Sequence, residues 1–198
     1  MIKKNKLPLE RYTVLDLTIA RAGPVAVRLL SDWGAKVIKI DPPLKSTGSG
    51  SVTGKRRGSD EQNLHRNKRG LTIDLKHPEG KRLFLSLVKQ SDIVVENFKS
   101  DVKNRLGIDY DILKKYNPRI ILGSISGFGQ EGPYKKRAGV DQIIQGMSGL
   151  MSITGYPGDG PVRAGIAVSD TSAGMYLGQG ILLALLYREQ TGRGQWVH

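Results

Sequence analysis

The sequence predicts an α/β fold: a Rossmann-like, mostly parallel sheet with helices on both faces. Strand-like and helix-like patterns alternate along the chain, and strand–helix–strand units repeat at the spacing of parallel crossovers. Glycine accounts for 25 of 198 residues, nearly twice the usual ~7%, which implies tight turns or close approach of backbone to a ligand. Such sheets bind ligands at the carboxyl ends of their strands.

The elements follow in order. Tyr12–Leu17 (YTVLDL) reads as a short buried strand, and Val25–Trp33 as the helix after it, with Pro24 in the first turn where its missing N–H costs nothing. Lys36–Ile40 (KVIKI) alternates polar and apolar residues as a strand does. Leu71–Leu75 (LTIDL) is the next strand, and Pro78-Glu79-Gly80 opens a helix through about Gln90. Asp92–Glu96 (DIVVE) and Ile120–Ser126 (IILGSIS) are strands, with a short helix over Asp109–Tyr116 between them. The last long helix runs from Thr171 to Arg188, and its Gly, Ala and Leu content suits close packing against another helix. Gln195-Trp196-Val197 then begins a strand in which the chain stops, a sign of truncation. Two stretches interrupt the rhythm: residues 41–70, long, basic and rich in Gly and Ser, and Gly127–Gly139 (GFGQEGPYKKRAG). A connection of the first length points to function or mobility.

Composition bounds the function. Hydrophobic residues make up 38% and charged residues 25%, a globular balance. The best apolar run, Gly180–Leu186, falls far short of the ~18–20 residues a spanning helix needs. The N-terminal MIKKNKLPLERY lacks the apolar stretch of a secretory signal, so the expected location is cytoplasmic, with no membrane partner. Cysteine is absent, which removes disulfides, thiolate metal sites and cysteine nucleophiles. His65, His77 and His198 are too scattered for a zinc motif or a triad, and no metal is expected. The net charge of +13 suits nucleic acid, a polyphosphorylated small ligand or a solvated surface. Aromatic content of 6% and the lack of a binding motif argue against the nucleic-acid reading.

Single motifs are weak here. Gly48-Ser49-Gly50 lies in a loop after Pro42-Pro43, the wrong context for a dinucleotide fingerprint. The turn Ala20-Arg21-Ala22-Gly23-Pro24 has one glycine, yet the helix start that follows could hold a phosphate through free N–H groups. Asp170 follows the run Gly165–Val168 and stands immediately before the last long helix. Its default role there is an N-cap, worth about 1 kcal/mol. The same position keeps it ionised through the helix dipole, and an ionised carboxylate can attack a thioester or act as a base. Asp141, before Gln142-Ile143-Ile144, also reads as a cap. Asn97-Phe98 follows strand DIVVE where a parallel sheet presents ligand contacts. Lys76 and Arg105 are ordinary surface cations on composition alone.

Taken in order, these residues resemble the family III CoA-transferases, the class of formyl-CoA and carnitine CoA-transferases. The matching blocks are LDLTIARAGPVAVRLLSDWGAKVIKID (Leu15–Asp41), NKRGLTIDLKHPEG (Asn67–Gly80), DIVVENF (Asp92–Phe98) and RLGIDYDIL (Arg105–Leu113). They continue as NPRIILGSISGFGQEGPY (Asn117–Tyr134), QGMSGLMSITG (Gln145–Gly155), PVRAGIAVSDTSAGMY (Pro161–Tyr176) and TGRGQWV (Thr191–Val197). The resemblance runs from about Leu9 to the end, and eight blocks in the family's order are far more specific than any one motif.

The resemblance implies transfer of coenzyme A from an acyl-CoA to a small carboxylic acid, with CoA and acyl-CoA as substrates and no prosthetic group. The family's nucleophile falls on Asp170. Its CoA contacts fall on Arg21, Ala22, Lys76, Asn97, Phe98, Arg105, Ala138 and Gly139, with Lys76 and Arg105 as phosphate partners. Asp141 matches an acidic position near the reacting centre. In the related alpha-methylacyl-CoA racemases a histidine precedes that acid. Here the run is Ala138-Gly139-Val140-Asp141, and valine carries no proton, which disfavours racemase chemistry. Family members are about twice this length. Residues 1–198 therefore correspond to the N-terminal part of a truncated large domain, the small C-terminal domain being absent. The full-length family implies a homodimer. For this chain the alternatives are a catalytically silent CoA-binding fragment or one half of a split enzyme with a complementing chain.

Overall fold

In the computed structural model, residues 6–43 and 58–198 are described; Gly48-Ser49-Gly50 and the rest of 44–57 in the Gly/Ser-rich basic stretch lie outside them. The strands are β1 (Thr13–Asp16), β2 (Lys36–Asp41), β3 (Lys68–Thr72), β4 (Ile93–Glu96), β5 (Ile121–Ser124) and β6 (Trp196–Val197). They form one sheet in the order β3-β2-β1-β4-β5-β6, and all five pairings are parallel. The helices are α1 (Ala22–Asp32), α2 (Ser59–His65), α3 (Pro78–Val88), α4 (Val102–Leu106), α5 (Tyr110–Tyr116), α6 (Asp141–Met147) and α7 (Val168–Thr191), with a 3-10 turn at Leu150–Ile153. Among the described residues no helix is long and apolar enough to cross a membrane.

Side chains alternate across a strand, and here both faces are covered. Val14, Ile93, Val95 and Ile121 pack with Ala26, Val27 and Leu30 of α1 and Leu177, Ile181 and Ala184 of α7. Their neighbours Leu15, Val94 and Leu122 point the other way, to Phe84, Leu85 and Val88 of α3 and Leu113 of α5. This is why the central strands read as near-continuous apolar runs. Helix α1 lies close against α7 because Gly174 offers no side chain: a Cβ there would stand 2.5 Å from the Ala22 carbonyl oxygen.

Several boundaries differ from the sequence reading, and helix α1 starts at Ala22, three residues before the expected Val25. Strand β3 begins at Lys68, three residues before the expected Leu71–Leu75, because its polar start is held by a buried ion pair. Lys68 Nζ lies 2.9 Å from Asp16 Oδ2, with both side chains out of solvent. The 41–70 stretch contains α2, whose sequence SDEQNLH buries only Leu64 and so shows no apolar stripe. Helix α7 starts three residues before the expected Thr171 and ends at Gly192, whose φ of +72° closes it.

Candidate active site

The strand order reverses between β1 and β4, the point at which an open parallel sheet leaves a crevice beyond its carboxyl ends. A cavity of about 870 Å³ opens there. Its walls are the turns after β1 (Ala20–Ala22), β4 (Asn97–Lys99) and β5 (Ile125–Gly127), with residues of α2, α6 and the start of α7. Of the residues that the family resemblance singles out, Arg21, Ala22, Asn97, Phe98, Ala138, Gly139, Asp141 and Asp170 all line it. Lys76 and Arg105 do not. They are exposed, after β3 and on α4, and Arg105 pairs with Asp101 at 3.1 Å.

The turns are tied to one another. Asn97 accepts the Ile19 N–H at 2.9 Å and donates to the Ile19 carbonyl at 2.7 Å, so its amide fastens the β1–α1 turn. That turn carries Ala20 at φ +63°, a left-handed conformation that a non-glycine residue holds only under such restraint. The next residue, Phe98, is positioned by Glu96, which accepts its N–H at 2.8 Å. Glu96 is fully buried, and desolvation pushes its carboxyl above the usual range against the opposing Ser124 hydroxyl and Lys103 ammonium. On the far wall, a Cβ on Gly139 would stand 2.2 Å from Gly127 Cα, so two glycines let the Ala138-Gly139 turn meet the β5 loop. Arg21 reaches α2, its Nη2 2.6 Å from Asp60 Oδ2.

Asp170 is not the cap that its place in the sequence suggests. It is the third residue of α7, whose N-cap position is Ala167 with no side-chain bond. The capping comes from another helix: Asp141 Oδ1 accepts the N–H groups of Ser169 at 2.9 Å and Asp170 at 3.2 Å. Asp141 likewise does not cap its own helix, where Val140 holds the N-cap position. Among the described residues the Asp170 carboxylate accepts no hydrogen bond. Burial, and then the Asp141 charge, raise its pKa above the usual carboxylate value, while Arg21 draws it down. Desolvation thus outweighs the dipole argument made from sequence.

Sequence reasoning missed three residues here. Gln145 is buried four residues beyond Asp141 and donates to its Oδ2 at 2.6 Å; the i, i+4 Asp/Gln spacing was the available signal. Arg163 lines the cavity and donates to the Ala164 carbonyl at 3.1 Å. Among the described residues it meets no carboxylate. Asp60 lay in a segment with no helical pattern.

A parallel sheet in Rossmann order, with the Asp170 carboxylate lining the crevice at its switch point, defines an α/β protein of the open-sheet class. The chain belongs to CoA-transferase family III, whose family model matches residues 9–198. It is 42% identical to the succinate–glutarate CoA-transferase of Agrobacterium fabrum, over 98% of this chain and 50% of that protein. It is 37% identical to the beta subunit of the succinyl-CoA–L-malate CoA-transferase of Chloroflexus aurantiacus, over 96% of this chain and 48% of that one. A crystal structure of a CAIB/BAIF family protein from Brucella suis superposes with a TM-score of 0.89 at 39% identity, covering 97% of this chain and 52% of that one. The chain thus spans about half the length of the relatives it matches.

Proposed function

We propose that this chain carries the CoA-binding and nucleophile-bearing part of an enzyme that moves coenzyme A from an acyl-CoA to a carboxylic acid. The observation that carries this reading is the Asp170 carboxylate, part-buried, without a hydrogen bond among the described residues, and facing a cavity of about 870 Å³. A carboxylate stripped of hydrogen bonds and raised in basicity is a better nucleophile than a solvated one.

An Asp170 oxygen attacks the thioester carbonyl, and collapse of the tetrahedral intermediate expels CoA thiolate and leaves a mixed anhydride. The thiolate attacks the Asp170 carbonyl, releasing the donor acid and leaving an aspartyl-CoA thioester. The acceptor carboxylate attacks that thioester, forming a second anhydride and freeing the thiolate again. Attack on the acceptor's acyl carbon then yields the new acyl-CoA and the original Asp170 carboxylate. Each step replaces one acyl bond by another, so no oxidant or external proton is consumed. The tetrahedral oxyanions need N–H donors, which the turns facing Asp170 would supply. Arg21, Ala22, Phe98, Ala138 and Gly139 would hold the CoA portion inside the cavity, with Asn97 as the brace of the β1–α1 turn. Lys76 and Arg105, outside it, would meet phosphates of a ligand longer than the cavity.

The acids named in the two relatives, succinate, glutarate and malate, each carry two carboxylates. Arg163, which meets no carboxylate among the described residues, would pair with the second one, so we infer a dicarboxylic acceptor. The exposed apolar side chains of α7 favour a second reading, in which a complementing chain completes the enzyme and this one alone binds CoA without turning it over.

The test is incubation with an acyl-CoA and hydroxylamine, followed by peptide mapping. A hydroxamate at Asp170, lost in Asp170→Asn, supports the transfer chemistry. CoA binding with no hydroxamate leaves the second reading standing and removes the first.

A further inference from the structure

Gln145 is fully buried, and every hydrogen-bonding group of its amide is engaged. Its Nε2 donates to Asp141 Oδ2 at 2.6 Å and to the Ile166 carbonyl at 3.2 Å. Its Oε1 accepts the Ala164 N–H at 2.9 Å. One side chain from α6 thus binds both ends of the short irregular segment that leads into α7. Through Asp141, which accepts the Ser169 and Asp170 N–H groups, it also reaches the backbone of Asp170 itself.

This arrangement supplies what Asp170 lacks. Among the described residues no hydrogen bond holds its carboxylate, so its location depends on where its backbone is held. Asp141 holds it, but Asp141 is itself a carboxylate beside another carboxylate. The Gln145 N–H at Oδ2 is a neutral donor that keeps Asp141 turned with its other oxygen toward α7. Any apolar residue of the same volume would fill the space, but none would tie Asp141, Ala164 and Ile166 together.

We propose that Gln145 is a positioning residue: it fixes Asp141 and the 164–167 segment so that the Asp170 carboxylate stands in one place in the cavity. The inference rests on the reading of Asp170 as nucleophile, because only then does its position govern a rate. Displacing a reacting group by about 1 Å can cost on the order of 100-fold in rate.

The test compares the parent chain with Gln145→Met, of similar length but without the polar atoms, and with Gln145→Glu. The expected result for Gln145→Met is Asp170 hydroxamate formation about 100-fold slower, with CoA affinity kept and faster amide exchange at Ser169 and Asp170. In Gln145→Glu the introduced acid can donate to Asp141 only while protonated. Trapping is therefore restored at acid pH and lost as pH rises, a new alkaline limb that a purely structural role would not produce. Parent-like trapping and exchange in Gln145→Met would overturn the proposal, as would parallel loss in both variants at all pH values. If the parent forms no hydroxamate, the nucleophile reading fails by itself, and the amide exchange still decides whether Gln145 holds the Asp170 backbone.

Discussion

Asp170 shows how a residue's surroundings reverse what its position along the chain suggests. The start of a helix ordinarily stabilises an aspartate's charge, worth about 0.3–1 kcal/mol. Here burial and the neighbouring Asp141 raise its pKa instead. The folded state therefore holds the Asp170 proton more tightly than the unfolded chain does. Ionisation costs stability, and that cost grows as pH rises from the unfolded value near 3.8 through the raised folded value. Asp170→Asn removes it without breaking a hydrogen bond among the described residues. Thermal denaturation is expected to show a higher Tm for Asp170→Asn than for the parent at neutral pH, with the two curves converging below about pH 4. His65 shifts the other way: burial and Lys68 lower it to about 4, so it is neutral at physiological pH. Its contribution to stability falls as acidification passes from 6.5 toward 4.

At the scale of elements, the cavity end of the fold depends on how closely helices and turns approach. Helices α1 and α7 meet where Gly174 faces the Ala22 carbonyl and the Val25 side chain. Both flank the cavity, α1 through Ala22 and α7 through Asp170 and Ala173. A methyl group at position 174 meets backbone, which cannot rotate away as a side chain can. Gly174→Ala is expected to lose about 1–3 kcal/mol in urea denaturation and, on the proposed reading, to weaken CoA binding by forcing the two walls apart. Gly178→Ala, whose Cβ meets nothing closer than 3.5 Å, is the matched control and should leave both unchanged. The element boundaries were legible to within a residue where apolar residues face the sheet in β4 and α5. They were not legible at α2 and β3, which one buried leucine and the Asp16–Lys68 pair hold in place. An ion pair between residues 52 positions apart leaves no periodic trace in the chain.

Across the whole molecule, Arg188 joins the layers. Near the end of α7 it is buried, donates to the Arg119 carbonyl at 3.0 Å and to Asp92 Oδ1 at 2.9 Å, and lies 5.5 Å from the Tyr12 ring centre. Asp92 in turn accepts the Thr13 N–H at 2.8 Å. One cation thus connects α7 with the starts of β1, β4 and β5, at the end of the sheet opposite the cavity. Arg188→Ala is expected to lose about 3 kcal/mol in urea denaturation. The opposite face of α7 presents Met175, Tyr176, Leu183, Leu186 and Tyr187 to solvent, an apolar surface of the kind that promotes association. Sedimentation should show concentration-dependent association that Leu183→Glu with Leu186→Glu reduces; a strictly monomeric parent would count against this.

The sequence by itself determined the parallel α/β architecture, because strands covered on both faces must be apolar and strand–helix spacing follows from chain geometry. It also located Asp170, Asp141 and the turns after β1, β4 and β5, since those residues sit at element ends that local patterns mark. Only the tertiary structure decided what the two aspartates do. The cap on α7 comes from Asp141, some 28 residues away, and the clamp on that cap comes from Gln145. Hydrogen bonds between elements that meet only after folding are set by packing, and no local pattern encodes them.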